Sequence, residues 1–168
     1  MSAIQSLEKF FDDLFVKKAP ALPDNGKKAL VKYLPWINLA LGLFTLLSAY
    51  GLWRWAHTYN DLANSLNTLN TLYGGSAVVA VNRLNFAVWL GVIVLVVQGL
   101  LYLFAFQATR DRKKQGWNLM FYALLVNVVY AVVTLFDNYG SGYVLSTIVG
   151  SAIGLYFLFQ LHSSYVKA

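Results

Sequence analysis

The chain has no cysteine, and its 168 residues include only 3 prolines, 2 methionines and 2 histidines. Without cysteine there is no disulfide framework, thiolate metal site or thiol nucleophile. Acidic residues are scarce too, 7 in all, and none falls inside a long apolar run. Buried acids are the usual mark of proton relays and coupled transport, so a proton-driven pump is disfavoured. His57 and His162 carry no His-x-x-x-His or Glu-x-x-His spacing, and the topology below puts them on opposite sides of a membrane, so no metal site is expected. Phosphate-binding glycine patterns are missing as well; Gly74-Gly75 and Gly140-Ser141-Gly142 read as turns. His57, Asp61 and Asp137 would share the outer side, but their spacing defines no reacting geometry. No cofactor and no enzymatic activity are expected.

Hydrophobic residues make up 58% of the chain and charged residues 12%, about half the charged share of a typical soluble domain. A soluble fold of this composition would expose large apolar patches to water. Four charge-free runs reach the roughly 20 residues needed to cross a bilayer: 34–53, 84–106, 117–136 and 143–161. Runs this apolar pair their backbone groups in lipid only as helices. Trp36, Trp53, Trp55, Trp117, Tyr139 and Tyr143 fall where an interfacial aromatic belt belongs, and Pro35 is expected in the first turn of its helix. The expected fold is an all-α integral membrane protein: an antiparallel four-helix bundle preceded by an amphipathic cytoplasmic helix.

Orientation follows from lysine and arginine. The amino-terminal segment carries Lys9, Lys17, Lys18, Lys27, Lys28 and Lys32, the loop between spans two and three Arg110, Arg112, Lys113 and Lys114, and the tail Lys167; only Arg54 and Arg83 lie on the other side. Positive residues stay inside, which places both termini in the cytoplasm. The basic residues flank apolar runs instead of forming one face of a soluble module, so lipid headgroups are the expected partner and nucleic acid is not. Residues 1–8 lack the basic start of a cleavable signal, and the first span is expected to act as its own insertion signal.

Three segments lie outside the spans. Residues 1–33 form a leader, with Ser2 and Gln5 spaced as a capping box and Ile4, Leu7, Phe10, Phe11, Leu14 and Phe15 on one helical face. That face suits a headgroup layer, a partner, or the bundle's own end, with Phe10, Phe11, Leu14 and Phe15 as contact residues. Residues 19–23 read as an extended connector, after which Asp24 would cap a short basic helix over Lys27–Lys32. The external segment 56–83 carries Leu62, Leu66, Leu69 and Tyr73 at helical spacing up to Gly74-Gly75, and is expected to pack over the bundle as a cap; Ser76 would start the second span early. Residues 162–168 form the tail.

Within the spans, Ser146, Gly150 and Gly154 make a small-residue stripe suited to helix packing, with Gly42 and Ala49 a shorter one. Polar side chains there are few. Gln98 and Asn127 lie near mid-depth, and either bond each other across spans two and three or line a polar path. Leu7-Glu-Lys-Phe-Phe11, Phe15-Val-Lys-Lys-Ala-Pro-Ala-Leu-Pro23, Lys28-Ala-Leu-Val-Lys32 and Pro35-Trp36 together resemble the leader of uncharacterised small four-span bacterial membrane proteins. That resemblance, over the first quarter of the chain, implies a bacterial inner-membrane location and carries no activity or functional residues. Two functional readings remain: a scaffold, assembly factor or accessory subunit that meets a membrane-protein partner or a second copy, and a small transporter or channel acting as an oligomer.

Overall fold

The computed structural model describes residues 3–76, 86–134 and 141–166; of residues 3–5, 87, 134, 141–146 and 166 it describes the backbone only. Among the described residues the chain is helical with no strand. Helix α1 (Ala3–Asp12) runs into a π-helical turn (Asp13–Lys18), then come α2 (Asp24–Leu72), α3 (Phe86–Arg110), α4 (Lys114–Thr134), α5 (Ser141–Gln160) and α6 (His162–Val166). Three helices, α2 to α4, are long and apolar enough to cross a membrane. At 20 residues, α5 is about 30 Å long. The capping-box side chains of Ser2 and Gln5, residues 77–85 over which a span begun at Ser76 would run, and the positions of Asp137 and Tyr139 are not described.

The largest departure from expectation is α2. The basic helix, the first span and the external helix are one continuous helix of 49 residues, about 74 Å at 1.5 Å per residue. Pro35 therefore lies inside the helix, not in its first turn. Its ring is buried beside Phe106 and Thr109 of α3, and packing there carries the helix past the missing N–H. Asp24 is not the N-cap: Pro23 takes that position and Asp24 is the first helical residue, where its charge suits the helix dipole.

The helix ends where the glycines suggested. Gly75 N–H bonds Asn70 O (2.9 Å) and Gly74 N–H bonds Thr71 O (3.1 Å), with Gly74 at φ +79°. This is a Schellman cap with glycine at the left-handed position. The last turns do not fold back as an apolar cap. Leu62, Leu66, Leu69 and Leu72 are all exposed, and Tyr73 is 89% exposed. Their apolar side chains lie along the outside of the unbroken continuation of α2.

Helices pack in chain order, α2 on α3, α3 on α4 and α4 on α5, with the first pair most extensive. Each pair is antiparallel, as paired positions show: Gly42 faces Gly99 and Gly91 faces Leu52, Gly116 meets Thr109 and Gln98 meets Ala123, Trp117 meets Leu158 and Asn127 meets Ser151. The seam of α2 is a seven-residue repeat of buried small residues, Pro35, Gly42, Ala49, Ala56 and Ala63. A strict heptad of small side chains lets a neighbouring backbone come close along a left-handed supercoil.

Gly42 and Gly99 mark the tightest point of that seam. A Cβ on Gly42 would lie 2.7 Å from Leu103 Cδ2 and 3.1 Å from Gly99 O, and one on Gly99 3.2 Å from Gly42 O. The densest core lies at the other neighbours' basic end: Ala105, Trp117, Met120, Phe121, Leu155, Leu158, Phe159, Leu161 and Tyr165. By contrast Phe44, Leu47, Phe104 and Val129 point outward, each more than 60% exposed.

Candidate functional site

The leader folds back onto the basic end of the helices. On α1, Phe11 lies 6.3 Å from Phe121 and 6.0 Å from Phe159, ring centre to ring centre, and in the following π turn Phe15 lies 6.4 Å from Phe159 and 6.5 Å from Tyr156. Beneath them Trp117 stacks on Phe121 at 5.4 Å and meets the edge of Phe159 at 5.2 Å. Trp117 Nε1 donates to Leu158 O (2.9 Å), so the indole is fixed in a core where it is only 1% exposed. Aromatic pairs in this geometry add roughly 0.5–1.5 kcal/mol each beyond area burial.

Hydrogen bonds close the clasp. A carbonyl at Phe15 in a π-helical turn looks five residues on for its donor and meets Pro20, which has no N–H. Gln160 Nε2 supplies the missing donor at 2.7 Å, while Gln160 Oε1 accepts from Leu22 N–H (3.3 Å) and Tyr156 Oη donates to Pro20 O (2.7 Å). The extended connector 19–23 is thereby held by two side chains of α5. The Asp13–Lys17 pair stabilises the exposed side of the turn.

His162 is the titratable element. Its ring lies 4.4 Å from Trp117, with Nε2 3.6 Å from Glu8 Oε1 and Nδ1 4.0 Å from Asp12 Oδ1. Burial pushes the imidazole below its ordinary range; Glu8 and Asp12 oppose that shift and Lys114 adds to it. Nearby, burial pushes Tyr165 up to about 12, with Arg112 opposing. Among the described residues the Tyr165 hydroxyl and His162 Nε2 are buried without a hydrogen-bond partner.

The sequence-derived site residues separate. Phe11 and Phe15 join the clasp, but Phe10 (61% exposed) and Leu14 face outward, because α1 and the following π turn bury only one edge. Gln98 and Asn127 do not bond each other. Gln98 Nε2 reaches Ala123 O (3.4 Å) on α4, and Asn127 Nδ2 reaches Ser151 Oγ (3.3 Å) on α5. A cavity of about 290 Å³ between α3 and α4, lined by Leu90, Val94, Tyr122, Val126, Val129 and Val133 among others, is apolar, and neither amide lines it.

Of the small-residue stripe, Gly154 packs on α4, where a Cβ would meet Leu124 Cδ2 at 3.0 Å. Among the described residues a Cβ on Gly150 would meet nothing within 4 Å; the side chain of Ser146 is not described. Among the described residues no group of three His, Asp or Glu is placed to hold a metal ion.

Two features escaped the sequence reading. Asn38 is 1% exposed and ties three helices together, its Nδ2 reaching Thr109 Oγ1 (3.3 Å) and Met120 Sδ (3.1 Å). It stands near the start of its apolar run, a place that gave no sign of these partners. Trp117 resembled a belt residue because it opens its run, and only the crowd of Phe11, Phe15, Phe121 and Phe159 around it makes it core. Comparison with protein-family models, with curated proteins and with solved structures finds no match for this chain.

Proposed function

We propose that this chain is a multi-pass bacterial inner-membrane protein without catalytic activity of its own, serving as a scaffold, assembly factor or accessory subunit. Its four long helices would cross the membrane with both termini in the cytoplasm. Three apolar helices of spanning length support the membrane location, and the crowding of cations at the end where the leader docks supports the orientation.

One observation carries the non-transporting reading. The polar side chains at depth are consumed in helix-to-helix bonds: Asn38 to Thr109 and Met120, Gln98 to Ala123, Asn127 to Ser151. A conduit needs such groups turned toward water, whereas here they act as glue, each contributing about 0.6–2 kcal/mol. The outward Phe10 and Leu14 on a clasped leader add an apolar edge for lipid or a membrane partner at the basic end.

Purification in native-lipid particles, with mass and co-purifying proteins read by mass spectrometry, tests the reading. A fixed partner, lost when Phe10 and Leu14 become Ser, is the expected result. A partner-free symmetric oligomer that passes solute in liposomes, with flux altered by Gln98→Ala or Asn127→Ala, would replace it with the conduit.

A further inference from the structure

A second cleft opens at the same end, between α2 and α3. It encloses about 210 Å³ and is lined by Val31, Lys32, Pro35, Trp36, Phe106, Thr109, Arg110 and Arg112. Its lining holds three cations and no carboxylate. Among the described residues the Lys32 ammonium sits over the Tyr33 ring (5.5 Å from its centre), and none of the three cations has an acidic partner. The nearest acid in sequence, Asp111, turns instead to Lys113 (3.1 Å) in a separate cleft on the α4 side.

The backbone beneath this cleft is the second, independent observation. Helix α3 ends in the same Schellman pattern as α2: Lys113 N–H bonds Ala108 O (2.9 Å) and Arg112 N–H bonds Thr109 O (3.1 Å). At the left-handed position α2 has Gly74, whereas α3 has Arg112 at φ 54°, the single non-glycine residue with positive φ among those described. A side chain there costs on the order of 1–2 kcal/mol, and glycine is the usual occupant. Strain of this kind persists where the side chain is needed.

The cap also removes an obstacle. The carbonyls of Gln107, Ala108 and Thr109, which give a helix end its negative character, are all bonded by the N–H groups of Asp111, Lys113 and Arg112. The Thr109 hydroxyl is turned inward to Ala105 O (2.6 Å). What faces the cleft is therefore the positive side chains, with the Trp36–Phe106 pair (5.7 Å, edge to face) as its apolar wall. Paired guanidinium groups, an ammonium and an indole at a membrane boundary fit the phosphate of an anion whose other end is apolar.

We propose that the cleft between Lys32, Trp36, Arg110 and Arg112 is a binding site for a phosphate group, with Arg112 held in a strained backbone position to complete it. The headgroup of an anionic phospholipid and free inorganic phosphate share this chemistry. The lipid source rests on the membrane reading above; the free-phosphate source does not.

The test compares the wild type with Arg112→Gly, and with Arg110→Gln and Lys32→Gln, in two arms. In nanodiscs of phosphatidylcholine with added phosphatidylglycerol, native mass spectrometry counts the phosphatidylglycerol retained. In detergent without phospholipid, inorganic phosphate is titrated. The expected result is selective retention by the wild type, reduced about fivefold for each cation removed, while Arg112→Gly unfolds at the same or a higher temperature because its strain is gone. Selectivity in the first arm assigns the lipid; saturable binding in the second arm alone assigns free phosphate. Failure of the chain to enter nanodiscs removes the membrane reading and leaves the second arm to judge the cleft. Lack of selective binding in both arms, binding unchanged in Arg112→Gly, or a loss of thermal stability in that variant overturns the proposal.

Discussion

The tight crossing at Gly42 makes opposite demands on two glycines of the same helix. Gly42 meets Leu103 and the Gly99 carbonyl within 3.1 Å of where its Cβ would be, whereas Gly51, nine residues on in α2, has nothing within 4 Å. Alanine at either site gains about the same 0.8–1.0 kcal/mol of helix propensity. At Gly42 that gain is opposed by overpacking. Leu103 Cδ2 can swing away, but the Gly99 carbonyl belongs to a helix backbone and moves only with α3. Overpacking of this kind costs about 1–3 kcal/mol, and because the propensity gains cancel, that range is the expected difference between Gly42→Ala and Gly51→Ala. At about 2–4 °C per kcal/mol for a chain of this size, thermal unfolding in mild detergent separates the two variants by several degrees. Leu103→Ala added to Gly42→Ala should recover part of the loss, leaving the share due to the carbonyl. Equal unfolding temperatures for the two alanine variants would refute the close approach of α2 and α3.

Three further outcomes follow from the contacts described. Gly154→Leu, driven into Leu124, should be about 1–3 kcal/mol less stable than Gly150→Leu in the same unfolding assay, while Gly150→Leu, whose Cβ meets no described atom within 4 Å, should equal wild type or exceed it by up to about 1 kcal/mol of helix propensity. Gln160→Ala leaves the Phe15 carbonyl and Leu22 N–H without their partners, a loss of about 1–3 kcal/mol, and limited proteolysis should cut residues 19–23 faster than in wild type. Burial holds His162 below its ordinary value of 6.5 in the folded chain, so between the two values the unfolded chain binds a proton that the folded one refuses. This contribution to stability is fully present above about pH 6.5 and is lost as pH falls through that window; the thermal unfolding temperature should drop on acidification, and more so in Glu8→Gln, which removes a charge that opposes the shift.

Helical class was legible because the apolar runs are long and free of charge, and α3, α4 and α5 fall on three of those runs. The continuity of α2 was not. Hydropathy changes at Lys32 and again at Arg54, and those changes read as boundaries, but a helix ends on backbone chemistry, and between Pro35 and Gly74 nothing stops it. The heptad of small residues from Pro35 to Ala63 was the available signal for one helix. At the clasp, the phenylalanines announced an amphipathic α1, yet which of them turn inward depends on the π turn and on Pro20. Periodicity at 3.6 residues cannot encode that turn, so Phe10 and Leu14 were grouped with Phe11 and Phe15. Gln98 and Asn127 stand out in the sequence as rare polar residues within apolar runs, but their partners lie on helices whose relative rotation no single sequence specifies. Arg112 carried no signal at all, since only its φ distinguishes it from the neighbouring cations.

The absence of native cysteine allows the membrane topology to be read directly from single introduced cysteines. Lys28→Cys, Lys113→Cys and Ser163→Cys sit at the basic end, and Tyr73→Cys at the far end of α2. With a membrane-impermeant maleimide on intact cells and on inverted vesicles, the first three should label only from the cytoplasmic face, and Tyr73→Cys only from the outside. Labelling of Ser163→Cys from the side opposite Lys113→Cys would show that α5 does not cross, and labelling of Tyr73→Cys and Lys113→Cys from the same side would contradict the membrane-spanning account itself.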